Sequence, residues 1–222
     1  MKYKVVEKFI SINGEGNLAG ELAVFIRFAG CNLKCSYCDT TWANKPDVEF
    51  EYMTETEIFN YIKSTKIKNV TLTGGEPLIQ QGIEYLLELL VKDDSINVEV
   101  ETNGTINIAP FINFSSRKLA FTIDYKSKSV LTENPVFLEN CKYLRSNDVI
   151  KFVVENMEDL ETANEIIKKY NLLEKCKIHI STVFGRMSWS DVVEYMKEKK
   201  LNGVKLQPQI HKVIWEANKR GV

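Results

Sequence analysis

Runs of β-branched and aromatic residues alternate with amphipathic helical stretches along most of the chain, and this alternation limits the fold more than any other feature. LAVFIRF (22–28), NVTLTG (69–74), INVEVETNG (96–104), KLAFTID (118–124), VIKFVVE (149–155), KIHIST (177–182) and GVKLQ (203–207) read as strands. Between them lie TETEIFNYIKST, GIEYLLELLVK, PVFLENCKYL, MEDLETANEIIKKY and SDVVEYMKEKK, with apolar residues at helical spacing. Thr54 with Glu57 three residues later forms a capping box at the first helix. Repeated strand–helix order predicts a parallel sheet with right-handed crossovers. The 222 residues fall short of the ~250 of a complete eight-stranded barrel. The expected fold is therefore α/β, an open, partial β/α barrel with its site at the C-terminal ends of the strands. A doubly wound sheet is the second choice, but no GxGxxG follows the first strand. No linker or repeat divides the chain, so residues 1–222 are expected to form a single domain.

Composition removes whole classes of function. The charge balance of 29 Lys+Arg against 30 Asp+Glu leaves no basic field for nucleic acid. No apolar run approaches the roughly 18 residues of a membrane helix, and the first residues lack the apolar core of a signal peptide. The expectation is a cytoplasmic protein that partners neither nucleic acid nor membrane.

Five cysteines are present, and three of them, Cys31, Cys35 and Cys38, fall in one loop as CxxxCxxC. An odd, clustered set argues against a disulfide framework and leaves these thiols for metal or catalysis. Structural zinc takes four ligands, usually as two separated pairs. Ordinary [4Fe–4S] clusters also take four cysteines, so three would leave one iron open to an outside molecule. Zinc with Asp39 or a distant residue as fourth ligand stays a second possibility. Cys141 and Cys176 read as small core residues. The loop follows the first strand, and GGEP (74–77), ETNG (101–104), DYK (124–126) and QPQ (207–209) end four others. Polar and glycine-rich segments at five strand ends point to a barrel-mouth site.

CxxxCxYC together with GGEP after the next strand resembles the radical S-adenosylmethionine (SAM) superfamily. The likeness narrows with Ser11-Ile-Asn-Gly-Glu-Gly16, Asp39-Thr40-Thr-Trp42, ETNG and Gln207-Pro-Gln-Ile-His211-Lys-Val-Ile-Trp215. These residues resemble the 7-carboxy-7-deazaguanine synthase family and span nearly the whole chain. The resemblance implies a radical SAM lyase that converts 6-carboxy-5,6,7,8-tetrahydropterin to 7-carboxy-7-deazaguanine and ammonia by ring contraction, in queuosine and 7-deazapurine biosynthesis. It further implies a [4Fe–4S] cluster, SAM, Mg2+, a flavodoxin- or ferredoxin-like electron donor and a homodimer. A small activase that installs a glycyl radical in a partner enzyme is the rival within the superfamily. A zinc or electron-transfer module is the rival outside it.

Carried over position by position, the resemblance makes Cys31, Cys35 and Cys38 cluster ligands and Thr40 a Mg2+ ligand. Without it, a turn-capping hydroxyl is the simpler account of Thr40. Tyr37, Cys38, Asp39, Gly75, Asp124, Tyr125 and Lys126 match the SAM site. The family stretch at 124–126 is usually Ser-Pro-Lys, so only Lys126 carries over cleanly. Ile12, Asn13, Gly14, Glu15, Arg27, Thr73, Glu101 and His211 match the substrate site, and Glu101 is the catalytic candidate. Arg27 stands among Phe25, Ile26 and Phe28, where a cation is costly unless paired and a planar fork suits a substrate carboxylate. His179, inside KIHIST, reads as a satisfied core histidine.

Overall fold

A computed structural model describes residues 1–114, 118–126 and 135–222. The chain opens with β1 (Lys2–Ile12) and β2 (Leu22–Phe28), followed by β3 (Glu51–Thr54) and α1 (Glu55–Thr65). Then come β4 (Asn69–Gly74), α2 (Ile83–Val91), β5 (Asn97–Thr102), α3 (Ala109–Ile112) and β6 (Leu119–Tyr125). The chain continues through α4 (Pro135–Asn140), β7 (Val149–Val154), α5 (Met157–Lys169) and β8 (Lys177–Thr182). It ends with α6 (Trp189–Lys199), β9 (Val204–Leu206) and α7 (Ile210–Ile214).

The strands form one nine-stranded sheet in the order β3-β1-β2-β4-β5-β6-β7-β8-β9. From β2 to β9 every neighbouring pair is parallel, and each strand lies beside the next parallel strand in sequence. The order never reverses, so the sheet is wound in one direction like a barrel, and it stays open between β3 and β9. The seven expected strands are these parallel ones. β1 and β3, which the alternation left unassigned, pair antiparallel at one side. β1 carries Lys2, Lys4, Glu7 and Lys8 among its apolar residues, which masks its strand pattern.

Strict alternation divides the residues of the parallel strands between two faces. Val24, Ile26 and Phe28 of β2, Val70 and Leu72 of β4, and Val98 and Val100 of β5 belong to the buried core. Ile58 and Ile62 of α1 and Leu86, Leu87 and Leu90 of α2 complete it. The other register puts Arg27, Thr73, Glu101, Asp124 and Lys151 on a single cavity at the opposite face. α1 starts where expected: the Thr54 hydroxyl accepts the Glu57 N–H at 3.2 Å, and the Glu57 carboxylate accepts the Thr54 N–H at 2.7 Å. None of the described helices is long and apolar enough to cross a membrane.

Candidate active site

After β2 the chain turns into the loop that carries the three thiols. Cys31, Cys35 and Cys38 are free, half-buried and all on the wall of a cavity of about 630 Å³. The Cys38 N–H donates to the Cys35 carbonyl at 3.2 Å, which closes the last turn of the loop. The Cys31 sulfur accepts from the Leu33 N–H at 3.4 Å and the Asn103 amide at 3.6 Å. Burial pushes the Cys31 and Cys35 thiols up, and Lys126 opposes this at Cys35. No three His, Cys, Asp or Glu side chains among the described residues converge on a point that would hold one ion. A cubane cluster binds each thiolate at a different iron, so its ligand sulfurs stand apart. Three soft donors on one wall, one of them already accepting N–H bonds, fit such a group.

The segment after β4 braces this loop. A Cβ on Gly75 would stand 1.9 Å from the Gly30 carbonyl oxygen and 2.3 Å from the Asn44 side-chain oxygen. At Gly74 φ is +146°, and a Cβ there would meet the Phe28 carbonyl oxygen at 2.4 Å. In this structure the two glycines admit the backbone of β2 and the base of the thiol loop, a contact the motif alone did not reveal. Glu76 is fully buried and accepts from the Asn103 N–H at 2.7 Å, the Thr102 hydroxyl at 2.8 Å and the Leu78 N–H at 3.0 Å. It ties the end of β4 to the end of β5. Burial nevertheless pushes its carboxyl up to about 7.

The same cavity gathers most of the substrate-side candidates. Ile12, Gly14, Glu15, Arg27, Thr73, Glu101 and His211 all line the cavity. Arg27 Nε donates to Glu7 at 3.1 Å, and the guanidinium lies 5.9 Å from the centre of the Phe9 ring. Using the Nε edge for Glu7 leaves the two terminal nitrogens of the fork for a ligand. Gly14 sits against His211, where a Cβ would come within 2.1 Å of Nδ1, and its carbonyl accepts the Ile210 N–H at 3.0 Å. Asn13 is not on the cavity wall. It is buried below it, accepting from the Thr71 hydroxyl at 2.7 Å.

Glu15 accepts from Ser181 at 2.8 Å and from Lys151 and Gln209 at 3.0 Å each. Burial alone would raise its pKa, but Lys151 and these hydrogen bonds outweigh burial and hold it below the usual carboxylate range. Glu101 behaves oppositely. Burial pushes it up to about 7, with Glu99 and Asp124 adding to the rise and Lys151 opposing it. Burial also pulls His211 down.

On the cofactor side, Asp124 lies 3.0 Å from both Lys126 and Lys151. Tyr37, Asp39, Thr40 and Lys126 share the cavity wall. Asp39 pairs with Lys212 at 3.2 Å, and that cation, with Arg27 and His211, overcomes burial and lowers its pKa. Thr40 precedes a short helical turn but makes no side-chain cap to it; its hydroxyl lies 3.5 Å from the Cys38 sulfur. Tyr125 points away from the cavity into the helix-covered core, with the Phe137 and Phe152 rings at 4.8 and 5.3 Å. Its side chain is thus separated from the other cofactor-side candidates.

Cys141 and Cys176 lie in the core, as small apolar residues do. His179 is buried off the cavity wall with Nδ1 3.0 Å from Gln207, and burial pulls it down to about 4. Sequence reasoning passed over Glu7, Lys151 and Ser181, and read Gln209 only as part of a strand-end segment. Lys151 carried a usable signal, a lone cation in the apolar strand VIKFVVE, as Arg27 does in LAVFIRF. The last residues, 217–222, line the cavity as well. There the Arg220 guanidinium sits 3.4 Å over the Trp42 ring and 3.7 Å from Glu7.

The one-way winding and the thiol loop at the strand ends define a radical SAM protein, and residues 25–119 match the radical SAM superfamily. Membership implies a [4Fe–4S] cluster and SAM. The chain is 57% identical over 222 residues to a 7-carboxy-7-deazaguanine synthase of Clostridium acetobutylicum, covering 100% of each. It is 32% identical to the synthase of Thermoplasma acidophilum, covering 95% of this chain and 96% of that one. The chain belongs to the 7-carboxy-7-deazaguanine synthase family. The crystal structure of QueE from Escherichia coli shares the fold, with a TM-score of 0.74 at 20% identity over 94% of each chain.

Proposed function

We infer that this chain is a radical SAM lyase that converts 6-carboxy-5,6,7,8-tetrahydropterin to 7-carboxy-7-deazaguanine and ammonia, a step of queuosine and 7-deazapurine biosynthesis. The observation that carries this reading is 57% identity to a synthase over the whole chain, combined with one cavity lined by the three thiols and by Arg27, Glu15 and Glu101. The relatives reported above do not support the glycyl-radical activase reading.

When bound at Cys31, Cys35 and Cys38, the cluster with SAM supplies a 5′-deoxyadenosyl radical. The residues of the chain do the rest. Arg27, held by Glu7 through Nε, offers its remaining fork to the pterin carboxylate. Glu15 is anchored by three donors, and a carboxylate with about four lone-pair sites can still accept a pterin N–H. Glu101, with a pKa of about 7, is the group suited to take and return a proton near neutral pH. Lys126 and the backbone of residues 37–39 and Gly75 face the SAM side. Ile12, Gly14, Thr73 and His211 enclose the pterin, and Asn13 supports the loop from below. Thr40 would supply an oxygen to Mg2+, a hard cation that keeps several waters and needs few protein ligands. We further assign a single domain over 1–222, a homodimer, a flavodoxin- or ferredoxin-like electron donor and a cytoplasmic location.

The test is anaerobic incubation of the reconstituted enzyme with SAM, reductant and the carboxytetrahydropterin. The expected result is 7-carboxy-7-deazaguanine and ammonia in equal amounts. SAM cleavage without deazaguanine would overturn the substrate while leaving the superfamily chemistry in place.

A further inference from the structure

We propose that Lys151 is a positioning residue for the pterin pocket: from the middle of β7 it holds Glu15 and Asp124 at once, joining the substrate-side carboxylate to the cofactor-side pair Asp124–Lys126. This inference rests on the function proposed above and deepens it.

The geometry leaves the ammonium little else to do. The Lys151 side chain is 7% exposed and its nitrogen is 3.0 Å from Glu15 and 3.0 Å from Asp124. A buried cation is tolerated only where partners surround it. Parallel register supplies one of them: Asp124 of β6 stands beside Lys151. Glu15 reaches the same nitrogen from the N-terminal loop, 136 residues away in sequence. Its other oxygen is held by Ser181 of β8, and Gln209 shares the first oxygen with Lys151. Glu15 therefore has its orientation set from two strands and the C-terminal segment, with Lys151 the only charged donor among these contacts.

The same ammonium acts on Glu101. The charged groups that act on Glu101 are Lys151 of β7, Asp124 of β6 and Glu99 of its own strand. Lys151 is the cation of that set. A nearby positive charge favours the ionised form of a carboxyl, so its loss moves the titration of Glu101 to higher pH.

The variant that tests this is Lys151→Gln, neutral and still able to hydrogen-bond, with Lys151→Arg to return the charge. In SAM-loaded holoenzyme, calorimetric titration is expected to show pterin binding weakened at least ~tenfold, as for a buried charge pair that loses one member. SAM affinity is expected to change far less, because Asp124 keeps Lys126. The pH inflection of kcat/KM near neutrality is expected to move upward in Lys151→Gln and to return toward the parent's in Lys151→Arg. A folded Lys151→Gln enzyme with the parent's pterin affinity and pH inflection would overturn the proposal, whatever its stability. If Lys151→Gln does not fold, Lys151→Met and Glu15→Gln are combined, and strictly additive losses of pterin affinity would overturn it. Failure of the parent to bind the pterin would strike the functional reading instead. A thermal-unfolding cycle over Lys151→Met and Glu15→Gln then decides on the Glu15–Lys151 pair, with additivity counting against it.

Discussion

The two faces of the parallel sheet carry alternate residues of the same strands, yet they are built by opposite rules. In β2, Val24, Ile26 and Phe28 pack under helices while Arg27 lies between them in sequence and faces the cavity. In β7, Ile150, Phe152 and Val154 belong to the core while Lys151 and Val153 line the cavity. The helix-covered face is held by area removed from water, which asks only for apolar volume. The cavity face is held by specific ion pairs and hydrogen bonds, each of which has to be satisfied by a named partner. Stability is thus expected to be concentrated on one face and chemistry on the other, one residue apart along each strand.

The sharpest break in this comparison comes from Cys35→Ala on the cavity side. It is expected to abolish SAM cleavage, because one of three anchoring thiolates is gone. Cys141→Ala, in the core, should retain it, and loss of the iron chromophore in Cys141→Ala would show that the ligand set is misassigned. Next is Arg27→Ala, expected to raise the pterin dissociation constant by about tenfold or more, with SAM affinity nearly unchanged. Anaerobic titrations of both ligands check it, and a variant that loses SAM but keeps the pterin would invert the two sides of the cavity. Lys at this position would not rescue fully, since it lacks the planar fork.

Leu87→Ala probes the other face. Leu87 is fully buried in α2, and its truncation is expected to cost about 2–5 kcal/mol of stability. Denaturant unfolding measures that cost, and kcat per folded molecule should stay at the parent's value. A large kcat loss with unchanged stability would mean that the two faces do not divide their work as described.

The smallest effect concerns His179, whose folded pKa of about 4 lies below its usual 6.5. Between these values the unfolded chain binds a proton that the native state refuses, so stability falls as pH drops through that window and is level above it. His179→Gln can keep a bond to Gln207 and should flatten the stability curve between pH 4 and 6.5. An unchanged slope there would assign the acid sensitivity to another group, His211 foremost, which burial also pulls below its usual 6.5.

Some of this was decided by the sequence alone. Strand–helix alternation is a local property, set by side-chain period, so the parallel strands and the order of elements were legible in it. The thiol loop and GGEP are contiguous, so the radical SAM chemistry was legible too. Arg27 stood out because a single charge breaks an apolar strand. Other features needed the folded chain. Strand β1 was hidden because Lys2, Lys4, Glu7 and Lys8 interrupt its apolar residues, and only pairing with β2 and β3 makes it a strand. Tyr125 and Lys126 looked like one motif, but successive residues of a strand point to opposite faces, so only Lys126 reaches the cavity. Lys151 joins Glu15 across 136 residues and Arg220 joins Glu7 and Trp42 across most of the chain. Such partnerships are set by where the loops and strand ends meet in space. A side chain's own neighbours in sequence carry no record of them, and so the ion pairs that hold the cavity were decided only by the tertiary structure.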